Sequence, residues 1–287
     1  MSIDSTWLRC PNCFQDLSPI TDRTFGCESG HRFDRSKYGF LTLLPPKAPK
    51  TMGDDRSMLD ARAALLGSGA YRPISDALVD AAGRILGSGV DPSLRVADLG
   101  CGTGHYSAEL ARAIPGLRLL LADRSPDAVR VSLRAIPGST GVVVDIWRPL
   151  PLRSSTADLV LNVFAPRNGP EFARILRPGG RLFVVVPTER HLLELRDAGL
   201  MLDVPPGKSE RVAAQLAADG FVPGAIRRIE YELTADRATR GLLAGMGPSA
   251  HHAGAGSAAE PDASSTTVTV SVELLELERS ATDAEPE

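Results

Sequence analysis

Cysteine is scarce in this 287-residue chain: four residues, three of them before position 28. Aromatic residues make up only 5%, so the core has to be built from aliphatic side chains. No apolar run approaches the roughly 18 residues that crossing a bilayer needs, which excludes a membrane-spanning helix. The opening MSIDSTWLRC lacks the basic-then-apolar order of a secretory leader, so a cytoplasmic chain is expected. Reduced thiols follow from that setting, which argues against a disulfide framework and for metal binding by clustered cysteines. No internal repeat is visible, so a solenoid is excluded. The net charge is only −3, which does not mark a strongly basic nucleic-acid binder.

The charge is unevenly spread. Residues 253–287 hold eight acids and one base, which leaves 1–252 at +4. A mildly basic body with an acidic end permits a phosphate-rich partner without demanding one. The length fits one large α/β domain plus a small module, and 43% apolar residues suffice for a full core.

The early cysteines form a pattern. Cys10-x-x-Cys13 has the spacing of a metal knuckle, and Cys27-x-x-x-His31 follows after a thirteen-residue gap. Zinc takes four tetrahedral sulfur and nitrogen ligands, and Cys10, Cys13, Cys27 and His31 complete such a set. No open position remains for catalysis, so the zinc would be structural. A unit of about 40 residues buries too little surface to fold unaided, and a metal supplies the missing free energy. Free thiols or a redox pair are the competing reading, which leaves His31 idle. Around the ligands lie Arg9, Arg23, Arg32, Arg35 and Lys37 with Trp7, Phe14, Phe25, Phe33, Tyr38 and Phe40. Such groups suit phosphates and unpaired bases, or equally a solvated face over a small aromatic core. The fourth cysteine, Cys101, reads as a small packing residue.

Three regions follow one another. Residues 1–44 form the Cys/His module. Residues 45–93 are a connector, with a Pro-rich linker and helices in RSMLDARAALLGSGAY and PISDALVDAAGRILGSG. From 94 to 287, short apolar runs alternate with helical segments: LRVADLG, LRLLLADRS, TGVVVDI, TADLVLNVFAP and RLFVVVPT as strands, with HYSAELARAIPG, PDAVRVSLRAI, GPEFARILRPGG and ERHLLELRDAG as helices. Apolar strands between helices predict a mostly parallel sheet covered on both faces. SERVAAQLAADG and ADRATRGLLAGMG read as later helices, and AIRRIEYELT as a strand. Residues 253–265 are of low complexity and read as a loop. TTVTVSVELLEL places Val268, Val270, Val272 and Leu274 on one face, as an antiparallel strand at or near the sheet edge.

VADLGCGTGHY is the chemically informative turn. Gly100, Gly102 and Gly104 follow a strand and open a helix at His105, where glycines allow a sharp turn and close approach to a ligand. The spacing is G-x-G-x-G rather than the dinucleotide G-x-G-x-x-G. Asp98 precedes the first glycine, and an acid there favours a cationic amino-acid moiety over a pyrophosphate. Asp123 ends the next strand, where a carboxylate can accept from ribose hydroxyls. Asp145 ends the third strand, placed to meet an adenine edge with Ile146 beside the ring. The pattern resembles the class I, Rossmann-like S-adenosylmethionine-dependent methyltransferase fold, whose sheet is mostly parallel and seven-stranded. The bland alternative is a glycine turn and strand-end acids without a ligand.

The C-x2-C…C-x3-H module ahead of this turn resembles the RlmA family of 23S rRNA guanine-N1 methyltransferases. CESGHRFDRSKYGFLTLL, DARAALLGSGAYRPISDAL, LNVFAPRNGPEFARILRPGG and GLLAGMGPSAHH carry the likeness along nearly the whole chain. The NVFAPRN form resembles the actinomycete, TlrB-like branch associated with tylosin resistance. The resemblance implies S-adenosylmethionine and structural zinc as cofactors, and 23S rRNA around hairpin 35 as partner. It further implies methyl transfer to N1 of a guanine, a contribution to macrolide resistance, and a dimer on one hairpin. Residues 1–44 would then recognise RNA and 94–287 would carry out methyl transfer. Asn162, Pro166 and Arg167 are the candidate catalytic residues, Asn162 for a base edge and Arg167 for a phosphate or the base O6. A strand-end role for Asn162 is the alternative. His251-His252 stand where the family usually has a tryptophan. A small-molecule methyltransferase and a non-catalytic RNA-binding protein are the competing functions.

Overall fold

The computed structural model describes residues 3–45, 53–86, 94–246 and 265–281. His251-His252, and the low-complexity stretch apart from Ser265, lie outside these residues.

The first region is a small ribbon. A 3-10 turn, Ser5–Trp7, is capped by the Asp4 carboxylate, which accepts from Thr6 N–H. Strands β1 (Ser18–Pro19), β2 (Thr24–Gly26) and β3 (Arg32–Asp34) pair antiparallel in that order. A fourth strand, β4 (Leu41–Thr42), leaves the ribbon for the central sheet.

The connector contributes α1 (Arg56–Gly67), whose Asp55 cap accepts from Met58 N–H, and α2 (Arg72–Leu86). Strands and helices then alternate: β5 (Arg95–Leu99), α3 (His105–Ala113), β6 (Arg118–Asp123), α4 (Pro126–Ala135), β7 (Thr140–Val143), β8 (Ala157–Val163), α5 (Gly169–Ile175) and β9 (Leu176–Pro187). Next come α6 (Leu193–Asp197), α7 (Lys208–Ala218), β10 (Phe221–Ala235), α8 (Arg237–Gly245) and β11 (Thr266–Arg279). The sheet order is β10-β11-β9-β8-β5-β6-β7-β4. The expected seven strands are present, mostly parallel, with β11 antiparallel to both its neighbours. The eighth, β4, is lent by the ribbon and pairs parallel with β7 through Leu41↔Val142 and Thr42↔Val143.

Alternation at period two sorts the strands' side chains onto two faces. Val96, Leu119, Leu121, Val143, Leu161, Val185 and Val272 join the core under α1–α4, α6 and α8. Ala97, Leu120, Val142, Val160, Val184 and Leu275 join the opposite core. That second layer contains Phe172 and Ile175 of α5 and Val212 and Leu216 of α7, but no helix between β7 and β8. The ribbon fills the gap. Trp7, Leu8 and Leu17 are fully buried and pack with Leu150 and Leu152 of the β7–β8 connection. A bridge pairs Leu8 with Leu152. Arg9 N–H donates to Pro151 O at 3.0 Å, and Arg153 N–H to Trp7 O at 2.8 Å.

Two local expectations shift. The helix read through GPEFARILRPGG ends at Ile175, and β9 begins at Leu176, ahead of Pro178, which cannot donate in a helix, and of left-handed Gly179. The helix read over ERHLLELRDAG shrinks to Leu193–Asp197. Leu192 is left-handed, and its N–H donates to Thr269 O on β11 at 2.7 Å. Strand β11 is antiparallel and near the sheet edge as expected, one place in because β10 covers it.

Candidate active site and metal centre

Cys10, Cys13, Cys27 and His31 converge: their ligand atoms all lie within 4.8 Å of one another. The closest pairs are Cys27 Sγ–His31 Nδ1 at 3.4 Å, Cys13 Sγ–Cys27 Sγ at 3.5 Å and Cys10 Sγ–His31 Nδ1 at 3.6 Å. A tetrahedron with bonds of about 2.3 Å to sulfur and about 2.0 Å to nitrogen has edges of about 3.5–3.8 Å, so this donor set fits zinc. Two turns shape it. Phe14 N–H donates to Cys10 O at 2.9 Å, and Gly30 N–H, in the left-handed region, donates to Cys27 O at 3.0 Å. All four cysteines are free thiols.

The ribbon's cationic and aromatic residues divide. Arg9 pairs with Glu171 at 3.5 Å and donates to Leu150 O at 2.9 Å, so it holds ribbon to domain. Trp7 and Phe25 are core, with the Arg95 guanidinium over the Trp7 ring at 4.0 Å. Arg23, Arg32, Lys37, Tyr38 and Phe14 remain exposed.

At the carboxyl ends of β5 and β6, Gly100, Gly102 and Gly104 all have positive φ. A Cβ on Gly100 would meet the Ala165 Cβ at 2.4 Å, so the β5 turn and the loop after β8 come together only with glycine there. Asp123 pins the turn from the side: its two oxygens accept from Gly102 N–H and Ser125 N–H, each at 2.9 Å. Those oxygens keep further lone pairs for ribose hydroxyls. Burial raises the Asp123 carboxyl above the ordinary range, and it raises the fully buried Asp98 to about 7. Asp98 accepts from Ser107 Oγ at 2.6 Å, which ties β5 to α3. His105 is half-buried and meets Ser75 Oγ at 3.2 Å, so α2 lies beside the turn. Asp145 pairs with Arg124 at 2.6 Å and accepts from Trp147 N–H at 3.2 Å, and Ile146 is buried beside Gly100.

The three catalytic candidates diverge. Asn162 is fully buried, and its Nδ2 donates to Leu99 O at 3.0 Å and Pro166 O at 2.8 Å. It closes the strand end, and among the described residues its Oδ1 has no partner. That orphaned acceptor next to a glycine cradle is a fit for the cationic amino-acid end of S-adenosylmethionine. Pro166 is exposed. Arg167 donates to Ala165 O at 3.2 Å and lines a cleft against α7.

Several residues here were not legible as candidates. Phe164, inside NVFAPRN, is left-handed at φ 53° and 41% exposed, an unusual combination for an aromatic. It stacks with His191 at a centroid distance of 6.1 Å and lies 6.3 Å from Tyr71. His191 Nδ1 accepts from Ser271 N–H at 3.2 Å, so Nε2 carries the proton toward Tyr71 Oη at 3.4 Å. Burial, then the charges of Arg196 and Lys208, push His191 down to about 4 and keep it neutral. Arg62 of α1 reaches within 3.2 Å of where a Gly102 Cβ would stand; it pairs with Asp54 and donates to Met246 O at 2.8 Å. The connector thus lies against the cofactor turn. An aromatic within the loop at a strand's carboxyl end was the available signal for Phe164; nothing in sequence pointed to Arg62.

This geometry agrees with what the chain is similar to. Residues 8–50 match the family described as RlmA, N-terminal, and residues 96–180 match the methyltransferase domain. A Streptomyces fradiae protein, 23S rRNA (guanine(748)-N(1))-methyltransferase, is 44% identical over 246 residues, 86% of each chain. The chain belongs to the RlmA family of 23S rRNA guanine-N1 methyltransferases. A Micromonospora griseorubida member, provisionally named for the same transfer, is 42% identical over 85% of this chain and 87% of its own. Among solved structures, a chain from the complex of the Haloferax volcanii Trm112 methyltransferase activator with a methyltransferase superposes with a TM-score of 0.51. At 17% identity, covering 80% of this chain and all of that one, it shows the fold alone. This RlmA-family enzyme uses S-adenosylmethionine and carries a structural zinc site. Among the described residues no helix is long and apolar enough to cross a membrane.

Proposed function

We propose that the enzyme methylates N1 of a guanine in hairpin 35 of 23S rRNA, in the cytoplasm, and thereby contributes to macrolide resistance. The observation that carries this reading is the 44% identity to the Streptomyces fradiae guanine-748 enzyme, which spans ribbon and catalytic half together. A homodimer on one hairpin is the assembly that the family resemblance implies. The methyltransferase fold alone would serve small substrates equally well, so the substrate argument rests on the ribbon.

The division of labour follows the chain. Residues 1–44, held by zinc on Cys10, Cys13, Cys27 and His31, present Arg23, Arg32, Lys37 and Tyr38 to RNA. Residues 45–93 connect, and 94–287 align donor and acceptor. Bound S-adenosylmethionine supplies an electrophilic methyl group on its sulfonium. Gly100, Gly102 and Gly104 admit the cofactor to the backbone, Asp123 receives its ribose, Asp145 and Ile146 flank its adenine, and Asp98 and His105 fix the turn. The target guanine leaves its stack and lies on Phe164, whose rear is supported by His191 and Tyr71. The methyl group takes the place of the N1 proton, which passes to water. Asn162 and Pro166 hold the loop closed, and Arg167 faces the RNA.

Purified enzyme given S-adenosylmethionine and a 23S rRNA fragment containing hairpin 35 should methylate it, and mass mapping should place the methyl on a guanine. Cofactor binding with no transfer to any rRNA fragment would contradict the reading and favour a non-catalytic RNA-binding role.

A further inference from the structure

An open cleft of about 430 Å³ lies between the loop after β8 and the start of α7. Its lining is Arg167, Pro205, Lys208, Arg211, Val212 and Gln215, three cations and no acid. Elsewhere this protein pairs its arginines freely, through Arg62–Asp54, Arg84–Glu276 and Arg174–Glu171 among others. Here it does not. Among the described residues, Arg167 donates only to Ala165 O and Arg211 only to Pro206 O, and no carboxylate pairs with Arg167, Lys208 or Arg211. The nearest acid in sequence, Glu210, accepts from Ser209 Oγ at 3.1 Å and from a backbone N–H, feels the Arg211 charge without pairing with it, and is not part of the lining.

Like charges gathered in a partly desolvated cleft repel one another, and folding alone gives no reason to keep them. Burial, then the charges of Arg167 and Arg211, hold the Lys208 ammonium below its ordinary range. The left-handed cap of α7, Gly207, offers no side-chain acceptor, and within the first turn the Glu210 carboxylate takes a backbone N–H. The lining side chains, three cations without an acid among them, favour an anion. The cleft also adjoins the aromatic platform: Arg167 is three residues beyond Phe164, and the charge of Lys208 is felt at His191.

We propose that Arg167, Lys208 and Arg211 form a subsite for a backbone phosphate of the RNA beside the extruded guanine. This rests on the rRNA reading above and deepens it. Phosphate contacts set register while the base is read elsewhere, so the subsite would place one nucleotide, and no other, on Phe164. An open cleft suits a chain passing through, where a free phosphate would be enclosed.

The test uses the full-length zinc-loaded enzyme, with hairpin-35 RNA binding followed across a salt series. Lys208→Gln/Arg211→Gln should weaken binding about tenfold and make the salt dependence shallower by about one to two charges. Lys208→Arg/Arg211→Lys keeps the charges and should retain wild-type affinity. S-adenosylmethionine binding by calorimetry should be the same in all three proteins. A wild-type salt slope in the Gln pair overturns the subsite, as does equal loss in the charge-keeping pair. Inorganic phosphate titrated at constant ionic strength should fail to displace the RNA. Displacement that disappears in the Gln pair would mark a free-phosphate site and overturn the RNA assignment. Wild-type enzyme that does not bind the hairpin at all would sink the rRNA reading and this inference together, a result distinct from parity of the variants.

Discussion

The rings of Phe164 and His191 lie stacked, 23° apart in plane with centroids at 6.1 Å, one exposed and the other largely covered. The buried ring is fixed by Ser271 N–H and Tyr71, so the exposed ring is a rigid face at the mouth of the site. A left-handed backbone at Phe164 costs about 1–2 kcal/mol, which persists only because the surrounding contacts hold it.

Removing that face should lower methyl transfer. Base stacking on an aromatic side chain is worth about 1–3 kcal/mol, so Phe164→Ala should reduce kcat/KM about 5- to 150-fold with cofactor affinity unchanged. Phe164→Gly should be as inactive yet about 1 kcal/mol more stable than Phe164→Ala, since glycine accepts the positive φ. Denaturant midpoints and rRNA kinetics on the two variants check both halves.

Asn162 should behave as a structural residue. Asn162→Ala strands Leu99 O in the interior, at about 1–3 kcal/mol for that unpaired acceptor, and frees Pro166 O of the exposed loop. A thermal midpoint lower by several degrees should accompany any loss of activity. An inactive Asn162→Ala with wild-type stability would instead place Asn162 against the substrate.

Two buried groups should give opposite pH dependences. His191 is held down to about 4, against an ordinary value of about 6.5, so the unfolded chain binds the extra proton first. Its contribution is present at neutral pH and is lost as pH falls from about 6.5 toward 4, by about 3 kcal/mol in all. Asp98, raised to about 7, works the other way: the folded chain holds the proton, and stability falls as pH rises from about 4 to 7. Urea unfolding at several pH values should therefore show His191→Asn flattening the acid-side loss and Asp98→Asn flattening the neutral-side loss.

Chelating the zinc should destabilise the whole chain, not the ribbon alone. Trp7, Leu8 and Leu17 share one core with Val142, Val160 and Leu182 of the sheet, and β4 is part of that sheet. Chelator-treated or Cys10→Ser protein should unfold at lower temperature in a single transition and lose S-adenosylmethionine binding in parallel. For the same reason, deleting residues 1–44 exposes half a core and cannot separate recognition from catalysis. Exchanging the exposed Arg23, Arg32 and Lys37 for glutamine is the cleaner way to probe RNA contact.

The elements that use local chemistry were legible. The CxxC and CxxxH spacings foretold the cluster of Cys10, Cys13, Cys27 and His31. The G-x-G-x-G turn foretold the sharp bend that Gly100, Gly102 and Gly104 make, each with positive φ. What escaped the sequence is long-range. No local pattern says that Trp7 replaces a missing helix between β7 and β8, or that Leu41 joins the sheet as an eighth strand. Asn162 turned inward because two carbonyls, at Leu99 and Pro166, needed a donor. Arg9 went to Glu171 and not to solvent. The Lys208–Arg211 pair met Arg167 only through packing of α7 against the loop after β8.

The most direct measurement compares 23S rRNA from cells with and without this enzyme by mass mapping of hairpin 35. The account predicts one guanine methylated at N1 only when the enzyme is present. Identical hairpin-35 spectra in the two strains would contradict it.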